Sequence, residues 1–124
     1  MRRIPTGSPF EAAMGYSRAV VKGGWCFVSG VTGYDYTTME MPDDAARQAR
    51  NCFSTIETVL TDAGFEMADI VRVQYTVTDS RVPDEVAPVL AEVLGQIRPA
   101  ATMVVAGLIR PEMRIEIEVT AFKG

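Results

Sequence analysis

At 124 residues the chain reads as one domain, 1–124, with 48% hydrophobic and 23% charged residues, enough to bury a real core. The formal net charge of −4 gives no electrostatic reason to expect a nucleic-acid partner, and no run approaches the length of a membrane span. There is no histidine, so the commonest general base and the usual zinc ligand are both missing, and acid–base chemistry falls to carboxylates, tyrosine, cysteine, lysine or bound water.

The start, Met1-Arg2-Arg3-Ile4-Pro5, carries charge without an apolar run behind it, so no signal peptide is expected and the cytoplasm is the expected compartment. Residues 1–15 are rich in Pro and Gly and read as irregular. Tyr16 to Lys22 reads as a short strand, and Gly23-Gly24 as the turn of a hairpin. The return strand, Trp25 to Val31, is apolar up to Ser29-Gly30. That predicts burial on both faces and a close backbone approach at Gly30. Residues 33–41 form a polar loop with room for a short edge strand near Tyr34–Tyr36.

Pro42-Asp43-Asp44 opens a helix over about 43–63 with an aspartate cap. Ala45, Ala49, Cys52, Phe53, Ile56, Val59, Leu60 and Ala63 recur at helical spacing, and Gly64 stands at the left-handed cap position. Val71, Val73, Tyr75 and Val77 alternate with Arg72, Gln74, Thr76 and Thr78 in a strand over 69–78. A second helix spans about 83–94, and Gly95 ends it. Cys26 and Cys52 fall in different elements and form no CxxC. They are expected to be buried, reduced thiols, with no metal site.

The last quarter, Arg98 to Phe122, reads as a hairpin of two strands joined at Arg110-Pro111-Glu112. In its second strand Ile115, Ile117, Val119 and Ala121 share one face and Arg114, Glu116, Glu118 and Thr120 the other. Two carboxylates two residues apart repel, so their face is either open to water or lines a polar cleft. The order β-β-(β)-α-β-α-β-β puts two amphipathic helices on one face of a mixed sheet, a two-layer α+β sandwich. The other face, half apolar, is left over, which in a small chain points to oligomerisation.

Several stretches then stand in a telling order: Gly15-Tyr16-Ser17-Arg18-Ala19-Val20, Phe27-Val28-Ser29-Gly30, the helix and the strand from Asp69 to Asp79, Arg98-Pro99-Ala100, and Ile115-Glu116-Ile117-Glu118-Val119-Thr120-Ala121. In this order and spacing, over nearly the whole chain, the sequence resembles the Rid proteins (YjgF-type, reactive intermediate deaminases). The resemblance implies a chorismate-mutase-like fold, β-β-α-β-α-β-β. It also implies a homotrimer whose sheets face inward as a barrel with the helices outside, and ligand clefts between subunits. In the founding branch those clefts hydrolyse small enamine or imine acids to 2-keto acids and ammonia without a cofactor.

Carried over residue by residue, the resemblance makes Glu116 the group that orients or activates water. Tyr16, Ser29, Gly30, Ala101, Thr102 and Met103 become ligand-binding positions, with Ala101 on the strand expected to pair with that of Glu116. The match is incomplete. Where that branch reads Pro-Ala-Arg-Ser, this chain reads Pro99-Ala100-Ala101-Thr102, so the arginine that clamps a substrate carboxylate is absent. Ala87 stands at an Asn position and Met103 at the Cys of some members. Arg98 and Arg18 are the nearby cations. Bland readings stand beside these: Glu116 as an interface charge, Glu118 paired with Arg114 or Arg72, Tyr16 as a packing aromatic, Ser29-Gly30 as a strand end, Arg98 as a surface charge. Three functions fit: a cofactor-independent imine or enamine deaminase, a non-catalytic trimer binding a small organic molecule, and a ribonuclease, which the acidic balance disfavours.

Overall fold

The computed structural model describes residues 1–124. Its strands are β1 (Arg2–Ile4), β2 (Ala19–Lys22), β3 (Trp25–Thr32), β4 (Ile70–Val77), β5 (Ala100–Val105) and β6 (Ile115–Phe122). Its helices are α1 (Pro9–Met14), α2 (Ala45–Ala63) and α3 (Val82–Leu94), with a 3-10 turn at Met67–Asp69. The strands form one sheet in the order β1-β2-β3-β6-β4-β5. This is the expected two-layer α+β arrangement, with an added strand and helix at the start.

The long helix follows from its ends and its stripe. The Asp44 side chain accepts from the Arg47 N–H at 3.1 Å, satisfying one of the donors that a helix start leaves open. Gly64, at φ 85°, ends α2 in the left-handed conformation, its N–H bonded back to Leu60 and Thr61. Ala49, Cys52, Ile56 and Leu60 are wholly buried against the sheet, as are Ile115 and Ile117 from β6 and Val82 and Val86 from α3. Each such aliphatic side chain contributes roughly 1.5–3 kcal/mol by leaving water.

Four sequence expectations need correction. Residues 1–15 are not irregular: β1 pairs antiparallel with β2, and α1 is a capped turn of helix. The strand expected from Tyr16 begins only at Ala19. Nor is β3 buried on both faces, since Trp25 and Phe27 stand 42% and 48% exposed while Cys26 and Val28 are buried. The largest change is at the end of the chain. β5 and β6 are not a hairpin; β4 lies between them. α3 carries the chain back across the sheet, so β5 joins β4 in parallel at the edge, as a helical crossover requires. β6 then inserts between β3 and β4, antiparallel to both. Its clean alternation belongs to a central strand with one face on the core.

A smaller irregularity sits at the start of β4. Ile70 pairs with Ala121 and Arg72 with Thr120, so the intervening Val71 is a bulge. That turns Val71 outward, 43% exposed, while Val73 and Tyr75 remain on the core side.

Candidate functional site

The site is built around a second bulge, in β3. Val28 pairs with Val119 and Val31 with Ile117, so Ser29-Gly30 holds one residue more than β6 opposite. The extra residue swings the Gly30 backbone against the Glu116 side chain. A Cβ on Gly30 would stand 2.5 Å from the Glu116 carboxyl carbon, so only glycine permits this approach. The Ser29 hydroxyl donates to the Ser17 carbonyl at 2.7 Å, and its N–H bonds the Arg18 carbonyl. Ser29, Gly30 and Glu116 are thus brought together by one strand irregularity; Tyr16 is linked to it through Arg18.

Arg18 holds this group from behind. It is 1% exposed. Its Nη1 donates to the Gly30 carbonyl at 2.6 Å, its Nη2 to the Tyr16 hydroxyl at 3.4 Å. The guanidinium lies between the rings of Tyr16 and Tyr36, 5.5 and 5.1 Å from their centroids, a cation–π arrangement. Its Nε has no hydrogen-bond partner and stands 3.8 Å from the Glu11 carboxylate. Glu11 is also buried and accepts from the Thr6 N–H and hydroxyl. The unexpected first turn of helix therefore serves the site, because α1 carries the counter-charge for Arg18. Its signal was present in the sequence, since Ser8-Pro9 is a cap followed by proline at the first helical position. Both Arg18 Nη groups are thus engaged within the chain, on the Gly30 carbonyl and the Tyr16 hydroxyl.

The electrostatics single out Glu116. Burial pushes its carboxyl pKa up, Glu118 adds to the rise, and the Arg18 charge opposes it. A carboxyl group moved toward neutrality is a better-matched general acid or base than a surface glutamate. Tyr16 is raised mainly by burial, against Arg18. The Cys52 thiol is pushed far up by complete burial, with Glu116 a second cause, and it donates to the Val31 carbonyl. It is an inert core thiol. Glu118 is exposed and pairs with neither expected arginine: Arg114 reaches Glu85 at 3.6 Å, and Arg72 reaches Gln74.

The remaining site residues lie elsewhere. Ala101 and Met103 register with Val73 and Tyr75, on the helix side of the sheet, whereas Thr102 registers with Gln74 on the open side. β5 is two strands from β6, about 10 Å, so a single chain does not bring Ala101, Thr102 and Met103 to Glu116. Ala101 instead lines a hollow of about 410 Å³ with Arg98, Pro99, Tyr75, Leu90 and Leu94. A larger hollow, about 500 Å³, lies between α2 and residues 34–37, and none of the site residues expected from the sequence line it. Close packing and perturbed acidity favour the bulge over mere volume as the chemical centre. No three Cys, Asp or Glu side chains converge as metal ligands, and no helix is long and apolar enough to cross a membrane.

Comparison with known proteins agrees with this architecture. The model of the family described as Endoribonuclease L-PSP matches residues 6–123. The crystal structure of Rv2704 from Mycobacterium tuberculosis, a member of the YjgF/YER057c/UK114 family, is 41% identical, with 98% of each chain covered and a TM-score of 0.89. The YjgF gene product of E. coli is 27% identical over 100% of both chains, with a TM-score of 0.88. A RutC family protein of Pyrococcus horikoshii is 29% identical over 87% of this chain and 86% of its own. On this match of sequence and fold, the chain belongs to the Endoribonuclease L-PSP family, the group that includes the YjgF, RutC and Rid proteins.

Proposed function

We propose that this protein is a homotrimer that binds a small organic metabolite in clefts between subunits and hydrolyses imines or enamines to carbonyl compounds and ammonia. The observation that carries the reading is the seat of Glu116: a half-buried carboxylate against Gly30, backed by Arg18, with its acidity weakened by burial. Hydrolysis of an imine needs a proton delivered to nitrogen and a water aimed at carbon. Glu116 supplies both in turn, taking a proton from the water and returning it to the departing amine. Tyr16 closes the cleft, and the Ser29-Gly30 backbone orients the substrate. No cofactor enters the reaction.

The trimer completes the site. β5 is exposed along its length, and Trp25, Phe27, Val104 and Phe122 are large apolar groups left uncovered. Burying this surface against a neighbour brings that neighbour's Ala101, Thr102 and Met103 toward Glu116. A cytoplasmic enzyme of this kind would act on imines released by other enzymes. With Ala101 in place of a cation, substrates of the founding branch lose their clamp, and uncharged imines are favoured.

The test is hydrolysis of a panel of imines, with and without a carboxylate, by wild type, Glu116→Gln and Ala101→Arg. Glu116→Gln should lose about 10²–10⁴ in rate, and Ala101→Arg should gain on carboxylated imines. A wild-type rate equal to buffer on every imine would leave the second reading, a non-catalytic binding trimer. The ribonuclease named by the family's description is disfavoured here by the net charge of −4. RNA cleavage abolished by Glu116→Ala would reverse that ranking.

A further inference from the structure

We propose that the hollow between α2 and residues 34–37 binds a small hydroxylated primary amine, of the size of an amino sugar. The space is about 500 Å³, within the range of small-molecule sites. α2 lines it with Asn51, Ser54, Thr55, Thr58 and Asp62, which share one face of the helix. All five are weak helix formers. The outer face of a helix is ordinarily stabilised by alanine, glutamate, lysine or glutamine. α2 forgoes that stability along a single stripe, and the stripe lines the hollow. The Tyr34 and Tyr36 rings, edge to face with centroids 6.1 Å apart, supply an aromatic wall.

The polar groups of the lining decide the chemistry. The Thr6 and Tyr34 hydroxyls donate to Glu11 and Glu112, the Thr58 hydroxyl to the Ser54 carbonyl, and Asn51 Nδ2 to the Gly33 carbonyl. Those hydrogens are spent inside the chain, which leaves Asn51 Oδ1 and the Ser54 and Thr55 hydroxyls to accept. Asp35 and Asp62 are the charged residues of the lining, and neither enters an ion pair. Acceptors therefore prevail, and a ligand that answers them must bring hydrogens: an ammonium for a carboxylate, hydroxyls for the rest. Asp62 adds a second reason. It stands in the last turn of α2, which holds no basic residue, and the helix dipole disfavours a carboxylate there. Arg2 and Lys123 reach the carbonyls of Asp62, Ala63 and Gly64, but neither pairs with the Asp62 carboxylate. A bound ammonium relieves that charge, whereas an anion would meet two carboxylates and no cation in the lining. The inference stands apart from the imine reading, since no residue assigned to that chemistry lines this hollow.

The purified full chain is titrated with glucosamine, glucose and butylamine at about pH 6, where the amines are charged, followed by calorimetry and by backbone amide shifts. Wild type is expected to bind glucosamine with shifts at Asp35, Ser54, Thr55 and Asp62. Glucose, which lacks the charge, and butylamine, which lacks the hydroxyls, should each bind about tenfold or more weakly. Asp62→Asn should weaken glucosamine binding about tenfold or more, and Ser54→Ala about threefold. Both variants should hold or raise the Tm, because asparagine removes a charge from the negative end of the helix and alanine is the better helix former. A stripe with a merely structural role would not lose binding as it gains stability. No glucosamine binding by wild type, equal affinity for glucose or butylamine, undiminished binding by Asp62→Asn, or shifts confined to the Gly30 bulge would each overturn the proposal.

Discussion

Arg18 is the residue on which the site's geometry depends most directly. A guanidinium with 1% exposure is tolerated because two tyrosine rings, a backbone carbonyl and Glu11 surround it. Arg18→Met should cost about 3 kcal/mol in urea denaturation, since it strands the Glu11 carboxylate in the interior. Arg18→Lys should recover only part, lacking the planar fork; a loss within error for Arg18→Met would show that the buried pair contributes nothing. Glu116 gives the pH prediction. Its folded pKa is raised, so the stability it contributes is present below its unfolded value, about 4.3, and is lost as pH rises through the folded value. The Tm of Glu116→Gln should therefore match wild type near pH 4 and exceed it by pH 7. A constant offset between the two curves would contradict the raised acidity. The Gly30 approach was legible from Ser29-Gly30 at the end of an apolar strand. The Arg18 network was not, because nothing in Gly15-Tyr16-Ser17-Arg18 shows that the side chain turns inward.

Among the elements, α2 does more than cover the sheet. Its Gln48 is fully buried and bonded to three backbone groups. Nε2 donates to the Pro42 and Glu112 carbonyls, at 2.8 and 3.0 Å, and Oε1 accepts from the Arg114 N–H at 2.9 Å. One side chain thus ties the helix start to the loop before it and to the start of β6, the strand that carries Glu116. Gly33 packs on it, and a Cβ there would collide with that of Gln48. Gln48→Leu should destabilise by about 2–3 kcal/mol through stranded backbone groups. Hydrogen exchange at Arg114 should rise more than exchange across β3, and uniform change would argue against a local bracket. The apolar stripe of α2 was readable from the sequence at its 3.6-residue period. Gln48 was not, since a glutamine beside that stripe looks like the polar face of any helix.

For the whole molecule, the open sheet face and the β5 edge are the surfaces that the proposed homotrimer would bury. Val104 is exposed on β5 in register with Thr76, which in turn pairs with Glu116. The proposed homotrimer predicts a mass near three times 13.5 kDa by light scattering. It also predicts that Val104→Asp yields monomers that keep their fold by circular dichroism but lose ligand binding. A wild-type monomer that still hydrolyses imines would show the cleft to be built within one chain.

The amino-acid pattern alone determined the two long helices, the core face of β6, the layered α+β architecture and the pair of carboxylates, Glu116 and Glu118, on the other face of that strand. All of these rest on local period and on caps, which neighbours in sequence decide. Only the tertiary structure decided that β6 lies between β3 and β4, that Arg18 is spent inside, and that Arg98 and Ala101 share a hollow two strands from Glu116. Strand pairing and side-chain burial are set by contacts between residues far apart in the chain, and a hydrophobic alternation is the same whichever partner it meets.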